Sequence, residues 1–302
     1  MGNPFDRSFG SANIAVLDGG LATELERRGA DLRDPLWSAK LLVEDPDAIR
    51  AVHEAYFEAG ADVAISASYQ ATFEGLAGRG IEGDEAAKLM RLSVELAREA
   101  AGDDRVVAAS VGPYGAMLGN GAEYTGDYDK GEDELVGFHV PRMEALAEAG
   151  PDVFAVETIP SFVEAGALAR ALERVPEIPA WVSFSCRDAG HICDGTRIDK
   201  AVEVVSAAPS VVAVGVNCTS PLHVELLVET ISATTDKRVV CYPNRGSFWD
   251  PMRKAWTDPP RQDARPPLRP LAWREAGASM IGGCCGTTPD DIAAIAAALG
   301  RT

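Results

Sequence analysis

Val211-Val212-Ala213-Val214-Gly215-Val216-Asn217-Cys218 is an unbroken apolar run that stops abruptly at an amide and a thiol. A strand with one wet face alternates apolar and polar residues, whereas a strand covered on both faces does not. The run therefore reads as a strand of a parallel sheet whose carboxyl end lies at Asn217-Cys218. The same grammar recurs along the chain. Residues 14–17 end at Asp18, 62–65 at Ser66, 106–111 at Gly112, and 153–156 at Glu157. Residues 180–184 end at Ser185-Cys186, 238–242 at Pro243-Asn244, and 278–281 at Gly282.

Helix signals follow these runs, with Leu89, Leu92 and Leu96 on one side of a stretch at 85–99 and similar patterns at 47–58, 135–149, 162–172, 200–207, 223–231, 271–276 and 290–299. Eight strand-then-helix units in 302 residues point to a (β/α)8 TIM barrel, an α/β fold, as one domain over 1–302. A doubly wound open sheet is the competitor, but no Gly-x-Gly-x-x-Gly follows the first run. In a barrel the carboxyl ends of all strands share one rim, where active sites are built. Asp18, Ser66, Gly112, Glu157, Cys186, Cys218, Asn244 and Cys284 all fall there.

Composition narrows the function. A net charge of −18 argues against non-specific binding to nucleic acid or an anionic membrane surface. No apolar run approaches the roughly 20 residues that span a bilayer. The start, Met1-Gly2-Asn3-Pro4-Phe5-Asp6, lacks a basic and then apolar leader, and the expected location is cytoplasmic. Six cysteines are too sparse for a disulfide scaffold, so reduced thiols are expected.

The thiols carry the chemistry. Gly282-Gly283-Cys284-Cys285-Gly286-Thr287-Thr288-Pro289 sets two adjacent cysteines between glycines at the end of the last strand. Neighbouring side chains of a regular strand point apart, so the two converge only if the backbone leaves the strand, a freedom expected of Gly282, Gly283 and Gly286. Cys218, two strands away, supplies a third sulfur on the same rim. Three thiolates suit Zn2+, and the lack of an equally placed fourth ligand marks a catalytic site with an open position for a substrate thiol. Cys186, Cys193 and Cys241 read as small buried hydrophobes, and His53, His139, His191 and His223 as structural or surface residues.

These segments resemble the homocysteine S-methyltransferase family, in particular its S-methylmethionine-dependent members. The likeness lies in residues 17–25 (Leu-Asp-Gly-Gly-Leu-Ala-Thr-Glu-Leu), 68–71, 110–115, 123–128 (Glu-Tyr-Thr-Gly-Asp-Tyr), 157–160, 183–188, 215–221 and the double-cysteine stretch. It implies zinc on Cys218, Cys284 and Cys285, homocysteine sulfur completing the shell, and Asp18 and Glu157 holding the amino group of homocysteine. Carboxylates are apt acceptors for an ammonium. Backbone amides near Gly19 would take the carboxylate. The second partner is a methyl-onium donor, for which Trp37 and Tyr69, with Tyr124 a weaker third, are the aromatic candidates. S-methylmethionine is the expected donor. Betaine or S-adenosylmethionine on the same fold is the alternative, as is a non-enzymatic zinc or thiol redox sensor. A folate or cobalamin donor is not expected in a chain ending at Thr302. One region departs from the family pattern, which usually reads Pro-Asn-Ser-Gly-Glu where this chain has Pro243-Asn244-Arg245-Gly246-Ser247. A hydroxyl replaces a carboxylate there, and a cation is added. The Pro-rich stretch 244–270 is long enough to form a lid.

Overall fold

The computed structural model describes residue 5 and residues 13–32, 37–246, 248–250, 255–257 and 266–301. Eight parallel strands form the barrel: β1 (Ala15–Val16), β2 (Val63–Ile65), β3 (Val106–Val111), β4 (Val153–Ile159), β5 (Ala180–Phe184), β6 (Val211–Asn217), β7 (Arg238–Tyr242) and β10 (Ala278–Ile281). They are ordered β1-β10-β7-β6-β5-β4-β3-β2, and a parallel bridge from Leu17 to Val63 brings the two ends together. Strand extents agree with the apolar runs to within a few residues. The exception is Glu157, expected just past its strand but in fact inside β4, which continues to Ile159. Between β7 and β10, β8 (Phe248–Asp250) and β9 (Ala255–Thr257) pair antiparallel. The rest of the expected lid lies mostly outside the described residues.

Helices cover the outside, and their starts follow from local chemistry. Asp45 caps Pro46–Glu58 by accepting from Ala48 N, and Ser161 caps Phe162–Leu172 by accepting from Glu164 N. Thr288 and Asp291 form a capping box at the head of Pro289–Ala298. None of the described helices is long and apolar enough to cross a membrane.

Two apolar layers result. One lies between strands and helices. The other fills the barrel with Ala15, Leu17, Val106, Ala108, Val153, Ala155, Trp181, Ala213, Val240, Tyr242 and Met280, with Phe5 packed against them. Side chains alternate along a strand, so the inward register steps on by two residues. Ala108 leads to Ser110, Ala155 to Glu157, Trp181 to Ser183, and Ala213 through Gly215 to Asn217. The interior thus turns from apolar to polar toward the carboxyl-end rim.

Gly215 has a specific reason to be glycine. A Cβ there would lie 1.7 Å from the Val240 carbonyl oxygen of β7, so any side chain pushes β6 and β7 apart three residues before Cys218. Gly215→Ala is expected to destabilise the fold by at least about 3 kcal/mol. A urea midpoint equal to that of the parent protein would contradict this.

His53, in the helix Pro46–Glu58, is fully buried, and neither ring nitrogen has a hydrogen-bond partner among the described residues. Burial lowers its pKa from 6.5 to about 4. An unfolded chain takes up this proton near pH 6.5 and the folded chain only near 4, so stability falls as pH drops through that window, by about 3 kcal/mol for this group. His53→Leu is expected to lose less stability between pH 7 and pH 4.5 than the parent. Equal losses in denaturant titrations at the two pH values would exclude His53 as a cause.

Candidate metal centre

The Sγ atoms of Cys218, Cys284 and Cys285 all lie within 4.8 Å of one another. Cys218 Sγ is 3.8 Å from Cys285 Sγ. Three sulfurs each about 2.3 Å from one tetrahedral ion would stand about 3.8 Å apart, so this group can hold a metal. All six cysteines of the chain are free. Cys241 is fully buried in β7, and Cys186 and Cys193 sit apart from the cluster, each pushed up in pKa by burial.

The backbone reaches this arrangement by two devices. Cys218 itself takes a left-handed conformation, with φ +48°, which turns its side chain out of the β6 alternation. The double-cysteine loop is stitched between neighbouring strand ends, with Gly283 N donating to Asp18 O (3.0 Å) and Cys284 N to Pro243 O (2.8 Å). Of its three glycines only Gly286 uses a positive φ, +79°. Gly282 and Gly283 are there for lack of space instead. A Cβ on Gly282 would lie 2.6 Å from Leu17 Cβ, and one on Gly283 2.4 Å from Thr287 Oγ1. The expectation that all three glycines supply conformational freedom is corrected for these two.

Hydrogen bonds from Cys284 and Cys285 hold the Cys218 thiol well below its ordinary pKa, and sharing those protons pushes its two partners up. Tyr124 Oη lies 3.1 Å from Cys218 Sγ.

Two buried carboxylates stand beside the sulfurs. Asp18 Oδ2 accepts from Ile65 N at 2.8 Å, whereas Oδ1 is buried without a partner among the described residues. Asp18 does not cap the following helix, whose N-cap residue is Gly20. Glu157 accepts from Ser110 Oγ at 2.5 Å and also interacts with Tyr242. Burial pushes Glu157 up to about 8, with the Cys284 charge adding to it. Burial likewise raises Asp18 well above the usual carboxylate range, opposed by the Ile65 amide and assisted by Glu157. Neither carboxylate forms an ion pair with a Lys or Arg among the described residues. Such a pair of acids has the chemistry to accept a cationic group.

A buried amide organises this floor. Asn217 Oδ1 accepts from Thr158 N (2.7 Å) and Ser183 Oγ (2.9 Å), while Nδ2 donates to Thr158 Oγ1 (2.7 Å). Ser183 Oγ also meets Tyr242 Oη at 2.7 Å, and Trp181 Nε1 donates to the same hydroxyl at 3.0 Å. Thr158 sits at φ +63°, a strained choice for a β-branched residue that persists only where neighbours enforce it. Asn217, Thr158, Ser110 and Tyr242 were not singled out from sequence. Counting the inward register onward finds Ser110 two residues past Ala108 and Asn217 four past Ala213, whereas Tyr242 belongs to the apolar layer itself and Thr158 lies outside that register.

The remaining expected residues separate. Gly19 borders the site, and its amide has no hydrogen-bond partner among the described residues, whereas Gly20 N donates to Thr287 Oγ1 at 3.0 Å. Tyr69 is at the rim, its ring against β3, since a Cβ on Gly112 would lie 2.7 Å from Tyr69 Cδ2. Trp37 opens a 3-10 turn, Trp37–Lys40, and its side chain lies outside the described residues, as does Ser247. Arg245 is not a free cation at the rim. Its Nε pairs with Asp291 Oδ1 at 2.9 Å, and Nη1 donates to Pro266 O at 3.0 Å.

A family profile described as homocysteine S-methyltransferase matches residues 15–299. Homocysteine S-methyltransferase YbgG of Bacillus subtilis is 46% identical over 307 residues, spanning 98% of this chain and 97% of that protein. Selenocysteine Se-methyltransferase of Brassica oleracea is 45% identical, spanning 94% of this chain and 88% of that protein. The metallated form of the homocysteine methyltransferase MmuM from Escherichia coli superposes with a TM-score of 0.85 at 43% identity, covering 98% of this chain and 100% of that one.

Cys284→Ala is expected to weaken binding of a thiophilic divalent ion by at least about 100-fold, since one of three anchoring thiolates is lost. Metal content after dialysis against a weak chelator measures this. Retention equal to the parent would refute the three-sulfur site.

Proposed function

This chain belongs to the homocysteine S-methyltransferase family, and from that premise we propose that it transfers a methyl group from S-methylmethionine to homocysteine with zinc on Cys218, Cys284 and Cys285. The observation that carries the reading is the junction of three sulfurs within 4.8 Å of one another with two buried, cation-free carboxylates. Soft sulfur ligands select zinc over the hard cations. Zinc bound there supplies one thing: it favours the thiolate form of a sulfur ligand near neutral pH.

The rest is the work of side chains. Asp18 Oδ1, buried and without a partner, accepts from the homocysteine ammonium together with Glu157. The cation returns both acids to the ionised form that burial disfavours. The amide of Gly19 faces the carboxylate of the amino acid. Ser110 and Tyr242 hold the Glu157 carboxylate in one orientation. Tyr69 and Trp37 serve the donor side, where an aromatic face favours a sulfonium.

In the displacement the homocysteine sulfur forms a bond to the methyl carbon as the carbon–sulfonium bond breaks. The electron pair stays on the departing sulfur, so S-methylmethionine becomes methionine and homocysteine becomes a second methionine. The thiol proton leaves to solvent. No general base is needed, and the catalytic contribution is to hold the three reacting atoms near a line.

Reduced, zinc-loaded protein incubated with homocysteine and methyl-labelled S-methylmethionine, S-adenosylmethionine or betaine is expected to yield labelled methionine, fastest with S-methylmethionine. Mass spectrometry reads the label. No labelled methionine from any of the three overturns the proposal, and a faster rate with betaine or S-adenosylmethionine overturns the donor.

A further inference from the structure

Between β3 and the helix Glu132–Ala147 the chain makes an excursion over the rim that the mechanism above leaves unused. It includes the helix Tyr114–Leu118 and the 3-10 turn Ala122–Tyr124. Both ends are tied to one buried acid. Glu164 Oε1 accepts from Tyr114 N at 2.6 Å and lies 2.9 Å from His139 Nε2, and Oε2 accepts from Tyr128 Oη. Within the excursion, Ser185 Oγ at the end of β5 donates to Glu123 O at 3.0 Å, and Gly126 N donates to Ala122 O at 2.8 Å. A Cβ on Gly115 would lie 2.6 Å from Glu123 N, so the turn is also packed backbone against backbone. The 3-10 turn is thus fixed relative to the metal centre, as the approach of Tyr124 Oη to Cys218 Sγ requires.

Glu123 is the residue this anchoring leaves unexplained. Its Oε2 is buried and has no hydrogen-bond partner, and no Lys or Arg pairs with it among the described residues. Its charge acts on the Tyr69 hydroxyl, as do those of Cys218 and Glu157, and it acts on Tyr124 as well. Glu123 thus lies within electrostatic reach of two aromatic residues, and its chain neighbour Tyr124 meets Cys218 Sγ at 3.1 Å. Burial pushes its pKa up to about 7, the condition of a carboxyl held without its counter-ion.

We propose that Glu123 is the anionic contact for the positively charged methyl donor, completing with Tyr69 and Tyr124 a subsite that selects cationic over neutral methyl compounds. A buried carboxylate near aromatic side chains has the chemistry to recognise an onium or ammonium group. The inference rests on the methyl-transfer reading above and adds a residue to it.

Glu123→Gln keeps the shape and removes the charge. It is expected to raise the KM for S-methylmethionine, and its Kd measured by calorimetry without homocysteine, by about 10-fold or more. The homocysteine KM and zinc content are expected to stay within about twofold, and Glu123→Asp to recover part of the loss. An unchanged donor KM and Kd in Glu123→Gln, with parent protein that still turns over S-methylmethionine, overturns this inference alone. A rise shared equally by homocysteine and donor, or accompanied by zinc loss, overturns it as well, by assigning Glu123 a structural role. Parent protein that neither binds nor turns over any onium donor overturns both readings.

Discussion

The amide of Asn217 is the constraint on which the site depends. It is fully buried, and its three hydrogen bonds reach β4 and β5 from the end of β6. One of its partners, Thr158, follows Glu157, and Asn217 itself precedes Cys218. A single side chain therefore fixes the relative positions of a buried carboxylate and a sulfur of the three-cysteine group that are 61 residues apart in sequence. Both flanking residues, Thr158 and Cys218, hold positive φ values. Such conformations are maintained by their surroundings and not by local preference. Losing the amide would strand polar groups in a dry interior, which is more damaging than the loss of the same bonds at a surface.

Charge is distributed with a similar logic. The chain carries 46 acidic and 28 basic residues, and the basic ones are largely occupied at the periphery, as in Arg50 with Asp47 or Arg170 with Glu132 and Asp133. Exposed pairs of this kind contribute little to stability. Their consequence is negative: among the described residues they leave Asp18, Glu157 and Glu123 without an ion-paired cation. Arg245, whose backbone N donates to Cys285 O at 2.8 Å, has its guanidinium drawn off by Asp291 in the last helix. The interior thus presents uncompensated acidity where a small cationic amino acid can relieve it.

Much of this was legible in the sequence, and the reasons are specific. The barrel was readable because burial on both faces abolishes alternation, so each strand appears as an apolar run. The sulfurs were readable because a parallel barrel gathers carboxyl ends, whatever the sequence distance. Asp18 and Glu157 stood out as charges at the ends of those runs. What escaped were contacts between strands. The partners of Asn217 lie in β4 and β5, and nothing local to residue 217 announces them. The roles of Gly282 and Gly283 were misread for the same reason, since the steric demand comes from Leu17 and Thr287 across the loop. Arg245 looked like added charge because its neutralising partner lies 46 residues further on.

The barrel closes through few bonds between β1 and β2. Asp18 N donates to Val63 O and Asp62 N to Val16 O, and two side chains complete the set, Asp62 Oδ2 accepting from Val16 N and Asp18 Oδ2 from Ile65 N. One oxygen of Asp18 is therefore a rivet in the seam, while the other is the buried acceptor left open. Occupancy of the second oxygen and integrity of the seam are then coupled quantities. A cation held by Asp18 keeps this carboxylate charged, and a charged carboxylate is the stronger acceptor for the Ile65 amide. On the proposed reading, ligand affinity and resistance to opening at this edge share one free energy, so that tightening the pocket would also seal the barrel.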